Sequence, residues 1–407
     1  MNYPLILDGA TGSMLMAHGM PSGVCTEQWV LEHPEVLQQI QREYVAAGSN
    51  VVYAPTFGAN RIKLTQYGLG DKVSEINRRL VEISRDAVGS SAMIAGDIAP
   101  TGKFISPVGD LSFSDMVAVY TEQAEALESA GVDLFVIETI MALPDARAAV
   151  LAIKSVSNKP IFVTFTVDEH GRTLTGTDVQ AAMVTMEAMG VTAFGLNCSS
   201  GPDTMLLHLQ NLTEHTSLPL IAKPNAGLPE TEDGKTVYRC TPEEFITHTQ
   251  ALADSGVRIF GGCCGTTPLH IATLSDAVLH LPSGSPVLDT PFEIAVATEK
   301  DAYYFDDVDM EDCVDIESSE DLLDDLMDAE EEDELFIRLK INTDEDLEYF
   351  EDNQYAVRKP LILDIEDVNI LEKALQLYQG VALYQDRGTI DPQRLIHLSK
   401  VYGVKVI

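Results

Sequence analysis

The stretch Val257-Arg258-Ile259-Phe260-Gly261-Gly262-Cys263-Cys264-Gly265-Thr266 carries an apolar run straight into two adjacent cysteines held between glycines. Neighbouring residues on a regular strand point to opposite faces, so two thiols that converge on one point require the strand to end there. Glycine on both sides lets the backbone bend and approach its neighbours closely. A second stretch, Gly195-Leu196-Asn197-Cys198, repeats the arrangement, an apolar run that ends in a cysteine. Three thiolates with one open position describe a zinc site built for a reacting ligand. The alternatives are a three-cysteine site closed by a fourth protein ligand, and three buried cysteines that bind nothing.

Working outward, short apolar runs recur at Leu5–Leu7, Val51–Tyr53, Met93–Ala95, Leu134–Ile137, Ile161–Phe165, Ala193–Leu196, Leu218–Ala222 and Val257–Phe260. The segments between them are mostly helical: Val36–Ala47, Ser74–Val88, Ser114–Ala130 and Thr241–Ser255 carry apolar residues at three- and four-residue spacing. Glycines at 48, 131, 190 and 256 follow such segments and suit helix C-caps. Eight alternating units predict an α/β fold of the (β/α)8, or TIM-barrel, kind rather than an open doubly wound sheet. Asp8-Gly9-Ala10-Thr11-Gly12 has the wrong spacing for a dinucleotide-binding loop.

In such barrels the C-terminal ends of the strands carry the active site. Those ends here read Asp8-Gly9-Ala10-Thr11-Gly12, Pro55–Asn60, Gly96-Asp97-Ile98-Ala99-Pro100, Glu138-Thr139, Asn197-Cys198, Lys223-Pro224-Asn225-Ala226-Gly227 and Cys263-Cys264. Cys198 and the Cys263-Cys264 pair thus fall on strands six and eight of one rim. The glycine-rich turn after Asp8 can offer N–H groups to a carboxylate. Asp8 and Glu138 can face an ammonium group, although a turn residue and a rim ion pair are their ordinary alternatives. Asn225 can cover a metal until a thiol arrives, or simply make a turn. Cys25, Cys240 and Cys313 have no partners in the pattern.

The 407 residues include 64 acidic and 26 basic side chains. Between Glu299 and Asp352 there are 25 acidic and 3 basic residues, a net of −22 in a chain whose total is −38. Nucleic acid is excluded as a partner by that balance. No apolar run reaches the ~18 residues of a membrane span, and Met1–Asp8 lacks a signal-peptide pattern. The expected place is the cytoplasm, where six cysteines serve as ligands, nucleophiles or core residues rather than disulfides.

Taken together, Leu7–Gly12, Pro55–Asn60, Val108-Gly109-Asp110, Glu138-Thr139, Asn197-Cys198, Lys223–Gly227 and Gly261–Thr266 resemble the homocysteine S-methyltransferase family, most of all the homocysteine-binding module that opens cobalamin-dependent methionine synthases. The resemblance covers about residues 3–282. It implies zinc held by Cys198, Cys263 and Cys264. It also implies homocysteine bound through its ammonium by Asp8 and Glu138 and through its carboxylate by backbone around Ala10 and Thr11. Asn225 is then the fourth zinc ligand before substrate binds. The implied reaction is methylation of homocysteine to methionine, with a separate methylcorrinoid protein as donor in trans. The alternatives are S-methylmethionine, S-adenosylmethionine or betaine as donor, or a non-catalytic homocysteine-binding module that works with a partner protein.

The composition shift divides the chain into a barrel at 1–284, an acidic linker at 285–334 and a small α/β domain at 335–407. Residues 299–334 have few apolar residues between charges and read as a solvated linker with short helical pieces. Beyond them, Leu335–Ile341, Pro360–Asp364, Val381–Tyr384 and Val404–Ile407 read as strands, with helices at Val368–Tyr378 and Ile390–Val401. Lys359–Ile407 resembles part of the folate-binding barrel of methionine synthases, but Tyr384-Gln385 stands where that family has Asn-Ser. The region is therefore expected to be a degenerate fragment without a folate site.

Overall fold

The computed structural model describes residues 3–199, 201–232, 235–281 and 294–407. Eight strands build the first sheet: β1 (Leu5–Ile6), β2 (Val51–Tyr53), β3 (Met93–Ile98), β4 (Leu134–Ile140), β5 (Ile161–Phe165), β6 (Ala193–Cys198), β7 (Leu220–Pro224) and β8 (Ile259–Phe260). Every hydrogen-bonded neighbour is parallel, in the order β1-β8-β7-β6-β5-β4-β3-β2. The gap between β2 and β1 is closed by Asn50, whose N–H donates to the Ile6 carbonyl at 2.7 Å and whose Oδ1 accepts from the Ile6 N–H at 2.9 Å. The result is the expected (β/α)8 barrel.

Alternation along the strands divides the core. Leu5, Leu7, Val51, Tyr53, Leu134, Val136, Phe162, Ala193, Ile221 and Ile259 fill the barrel interior as one cluster. Their strand neighbours, such as Val52, Ile94, Phe135, Val163 and Phe194, pack outward on the helices. Pro34–Ala46, Val73–Val88, Phe113–Ala130 and Pro242–Asp254 lie within a residue or two of the expected helices. β7 runs two residues further than its apolar run, because Asn197 and Cys198 of β6 continue to pair with Lys223 and Pro224. None of the helices among the described residues is long and apolar enough to cross a membrane.

The acidic linker expected at 285–334 needs correction over its described part. A hairpin forms from β9 (Ile294–Ala297) and β10 (Ala302–Phe305). A second sheet follows, made of β11 (Cys313–Glu317), β12 (Phe336–Lys340), β13 (Leu361–Asp364), β14 (Leu383–Tyr384) and β15 (Lys405–Val406). The helix Leu322–Glu331 buries Leu322, Leu326 and Ala329 on one stripe while its carboxylates take the other faces. Average composition conceals that stripe. The small unit therefore starts by Cys313 rather than at 335, whereas the boundary at 284/285 lies outside the described residues. Its strands are parallel and stand in chain order without reversal, which is the winding of a partial barrel and not of a doubly wound sheet.

This second unit is fastened to the barrel's outer helices. Arg147, fully buried on the helix Leu143–Val156, donates to Gln379 Oε1 at 2.9 Å. It also donates to the carbonyls of Leu375 and Gln376, at the C-terminal end of the helix Val368–Leu377. That end of a helix favours a cation. Burial pulls the guanidinium down to about 10, which leaves it charged at neutral pH. Nearby, Gly403 has φ +83, and a Cβ there would meet Ala188 of the barrel at 2.7 Å, so the approach requires glycine. Arg147→Met leaves Gln379 and two helix carbonyls without their donor. It should lower stability by about 2–4 kcal/mol in urea unfolding; a change under about 0.5 kcal/mol would show that the contact carries no weight.

Candidate functional site

At the rim, β6 ends in unusual backbone. Cys198 and Ser199 have φ of 61 and 33, and Thr139, after Glu138 of β4, has φ of 61. Left-handed conformations at non-glycine residues are costly and concentrate at sites where the surroundings enforce them. Here Asn197 does much of the enforcing. Its Oδ1 accepts from the Thr139 N–H at 2.9 Å and its Nδ2 donates to Thr139 Oγ1 at 2.8 Å. Its carbonyl accepts from Thr166 Oγ1 at 3.1 Å.

Past Phe260 the chain leaves regular strand geometry but keeps bonding to both neighbours. Gly261 N–H donates to Ala222 O, Gly262 N–H to Asp8 O, and Cys263 N–H to Pro224 O at 2.8 Å. A tight turn follows, with the Cys263 carbonyl accepting from Thr266 N–H and, at 2.7 Å, from Thr266 Oγ1. Gly265 takes φ +80 inside it, and a Cβ there would meet the Tyr238 ring at 2.3 Å. This turn brings both sulfurs to one side. The sulfurs of Cys198, Cys263 and Cys264 lie within 4.8 Å of one another. Among the described residues no other group of His, Cys, Asp and Glu side chains has that form. Cys25, Cys240 and Cys313 stand apart from it, as the sequence pattern suggests.

The thiols titrate as one cluster. Hydrogen bonds with Cys198 and Cys263 pull Cys264 far below the usual thiol range, while hydrogen bonds with Cys198 and Cys264, together with burial, push Cys263 well above it. Tyr238 also hydrogen-bonds Cys264; burial and the Cys264 charge raise its phenol, so it stays a donor. Asn225 bridges the strands: its Oδ1 accepts from the Cys264 N–H at 3.0 Å, and its side chain bonds the Cys198 thiol.

The cluster opens on a cavity of about 280 Å³, lined also by the Gly9–Ser13 loop, Tyr53, Asp97, Glu138 and Lys223. The Ala10 N–H is already engaged, donating to Thr266 Oγ1 at 3.0 Å, and Thr11 lines the cavity. Lys223 is the residue that sequence reasoning quotes but gives no role. It is 4% exposed, with Nζ 3.3 Å from Glu138 Oε2, 3.6 Å from Asp8 Oδ1 and 3.8 Å above the Tyr53 ring. Burial works against its charge, but Glu138, Tyr53 and Asp8 outweigh it and hold the ammonium well above its usual range. Asp8 is buried beside Lys223, with Oδ1 3.6 Å from its Nζ and Oδ2 accepting from the Tyr53 N–H at 2.8 Å. Burial pushes its carboxyl up to about 6, with Lys223 and the Tyr53 N–H limiting the rise.

A family model described as homocysteine S-methyltransferase matches residues 5–278. Methionine synthase of Mycobacterium tuberculosis (strain ATCC 25618 / H37Rv) is 32% identical over 295 residues, covering 68% of this chain and 25% of that protein. Methionine synthase of Mycobacterium leprae (strain TN) is 32% identical over 273 residues, covering 64% of this chain and 23% of that protein. The chain thus spans about a quarter of the length of these curated relatives. Among solved structures, the metallated form of the homocysteine methyltransferase MmuM from Escherichia coli aligns with a TM-score of 0.58 at 24% identity, covering 67% of this chain and 95% of that one. That likeness shows the barrel fold.

The buried charges carry a pH prediction. Asp8 has a folded-state value of about 6 against the ordinary 3.8. Below the ordinary value it is protonated folded or unfolded; the burden of burying its charge builds as pH rises from 3.8 to about 6 and is fully present above that. Lys223 offsets that burden. Lys223→Met should therefore cost about 3–5 kcal/mol in urea unfolding at about pH 8 and clearly less at about pH 5. Equal losses at the two pH values would contradict the pairing.

Proposed function

The chain belongs to the homocysteine S-methyltransferase family, and on that basis we propose that it transfers a methyl group to the thiolate of homocysteine, forming methionine. The observation that carries this reading is the trio of sulfurs, within 4.8 Å of one another, at one end of a cavity whose other end is charged. Three soft donors suit zinc. Asn225 Oδ1 accepts one hydrogen bond, from the Cys264 N–H, which leaves a second lone pair, so Asn225 can be the fourth zinc ligand until a substrate sulfur takes its place. Zinc held by Cys198, Cys263 and Cys264 would supply the Lewis acidity that keeps a fourth sulfur as thiolate at neutral pH.

The chain's own residues do the rest. Asp8 and Glu138 take the substrate ammonium, and Lys223, which contacts both, fixes their positions. The carboxylate falls to the amides that follow Ala10, at Thr11 and beyond, because Thr266 takes the Ala10 N–H. The Tyr238 hydrogen bond to Cys264 draws charge off that sulfur. Methyl transfer then makes a C–S bond at the substrate sulfur as the donor's bond to the methyl group breaks.

The proposed donor is a separate methylcorrinoid protein acting in trans, supported by the likeness to methionine synthases; the alternatives are S-methylmethionine, S-adenosylmethionine and betaine. A second reading is a non-catalytic homocysteine-binding module that works with a partner protein. The strand order of the C-terminal unit supports its reading as a degenerate fragment of a folate-binding barrel. We place the protein in the cytoplasm, where free thiols persist.

Cys198→Ala or Cys263→Ser should lose bound zinc and methyl transfer together, with circular dichroism unchanged. A tightly bound zinc ion retained in either variant would refute the ligand set. With purified full chain and homocysteine, methionine should form when a methylcorrinoid protein is added. Methionine formed from S-methylmethionine alone would overturn the donor assignment, and homocysteine binding without turnover on any donor would favour the module reading.

A further inference from the structure

Asn197 is fully buried on β6, one residue before Cys198 and in register with Lys223 of β7. The Thr139 N–H donates to its Oδ1 at 2.9 Å, which settles the orientation of the amide. Nδ2 then has two hydrogens to give. One goes to Thr139 Oγ1 at 2.8 Å, and the other reaches Cys263 Sγ at 3.9 Å, within the longer range of a hydrogen bond to sulfur. A single buried amide therefore ties the end of β4 to a sulfur that arrives on the chain after β8. Its own main chain leads directly into a second sulfur, that of Cys198.

Each sulfur of the trio has a neutral hydrogen-bonding partner: Cys264 has Tyr238, Cys198 has Asn225 and Cys263 has Asn197. Tyr238 and Asn225 lie on the chain beyond β7, outside regular strand. Asn197 lies within β6 and is laddered to β7, so the barrel itself fixes where its amide stands. The clasp also spans two left-handed residues, Thr139 and Cys198, each with φ 61. Such backbone costs about 1–3 kcal/mol per residue and persists only where the surroundings enforce it. Thiolates gathered within 4.8 Å repel one another. An amide N–H relieves part of that charge while adding none.

We propose that Asn197 is a positioning residue of the metal site, whose amide holds the Cys263 sulfur by an N–H···S bond and Cys198 through the Thr139 clasp, so that both thiols stand at ligand spacing before a metal arrives. This role rests on the zinc reading of the cysteine trio. An amide meets both demands at once, because it accepts from the Thr139 N–H and donates to sulfur. Aspartate can keep the first contact, since the Thr139 hydroxyl can turn to donate, but it has no hydrogen for the sulfur. Leucine, of similar size, keeps neither.

The test uses the full chain, with zinc affinity measured by competition with a chromophoric chelator and sulfur-to-metal charge-transfer absorption recorded after loading with cobalt(II). Asn197→Leu should weaken zinc binding about tenfold to a hundredfold. Loss of the N–H raises the energy of the sulfur electrons, so the cobalt band should move to longer wavelength in Asn197→Leu and in Asn197→Asp. Asn197→Asp retains the clasp and gives this readout even if Asn197→Leu does not fold. Thr139→Val leaves the sulfur bond in place and should keep the band at its wild-type position. A band unmoved in Asn197→Asp, or moved equally in Thr139→Val, would overturn the role of Asn197, while zinc binding by the wild-type chain still upholds the metal site. Failure of the wild-type chain to bind either metal would overturn both.

Discussion

The register of β6, β7 and the chain after β8 is the constraint on which the site depends. Cys198 pairs with Pro224 across the β6–β7 ladder, and Cys263 donates its N–H to the Pro224 carbonyl from the other side. Pro224 is therefore the shared neighbour that brings sulfurs from non-adjacent strands together. A slip of one residue in either pairing would turn a thiol to the opposite face. The barrel prevents that slip, because β6, β7 and β8 are each held by parallel partners on both sides and by an interior that alternates with an outer apolar layer.

Around this register the protein tolerates local strain and buried charge. Three non-glycine residues at the rim adopt positive φ, and Asn197 and Thr266 tie their neighbourhoods together. Asn197 links the ends of β4 and β6, and Thr266 links the Gly-rich loop to the cysteine turn. Next to the thiols, Lys223 sits among Asp8, Glu138 and Tyr53. A buried cation flanked by carboxylates adds little net stability compared with an apolar core, but it fixes the position and sign of charge in the cavity. Such a site is suited to a zwitterionic ligand carrying a thiol.

Much of this was legible before any coordinates. Apolar runs that end in glycine, asparagine or cysteine mark barrel strands and their functional rim, and the thiols are distinctive in any context. Other features depend on pairings that sequence order does not reveal. Lys223 sits in a strand-end motif, and its meaning lies in Asp8, Glu138 and Tyr53, which surround it in space. Sequence places the carboxylate at backbone around Ala10 and Thr11, and the fold shows that the Ala10 N–H also bonds Thr266 Oγ1. The acidic stretch misled through averaging: Leu322, Leu326 and Ala329 form a buried stripe in a segment whose overall charge suggests solvation.

The central claim is that the three cysteines form an open thiolate site whose last position is filled by the substrate's own sulfur. Zinc-edge X-ray absorption on the full chain addresses it directly, recorded on the zinc-loaded protein before and after homocysteine is added. Three sulfur neighbours and one lighter atom are expected at first, then a fourth sulfur in place of the lighter atom. A coordination shell that homocysteine leaves unchanged would contradict it.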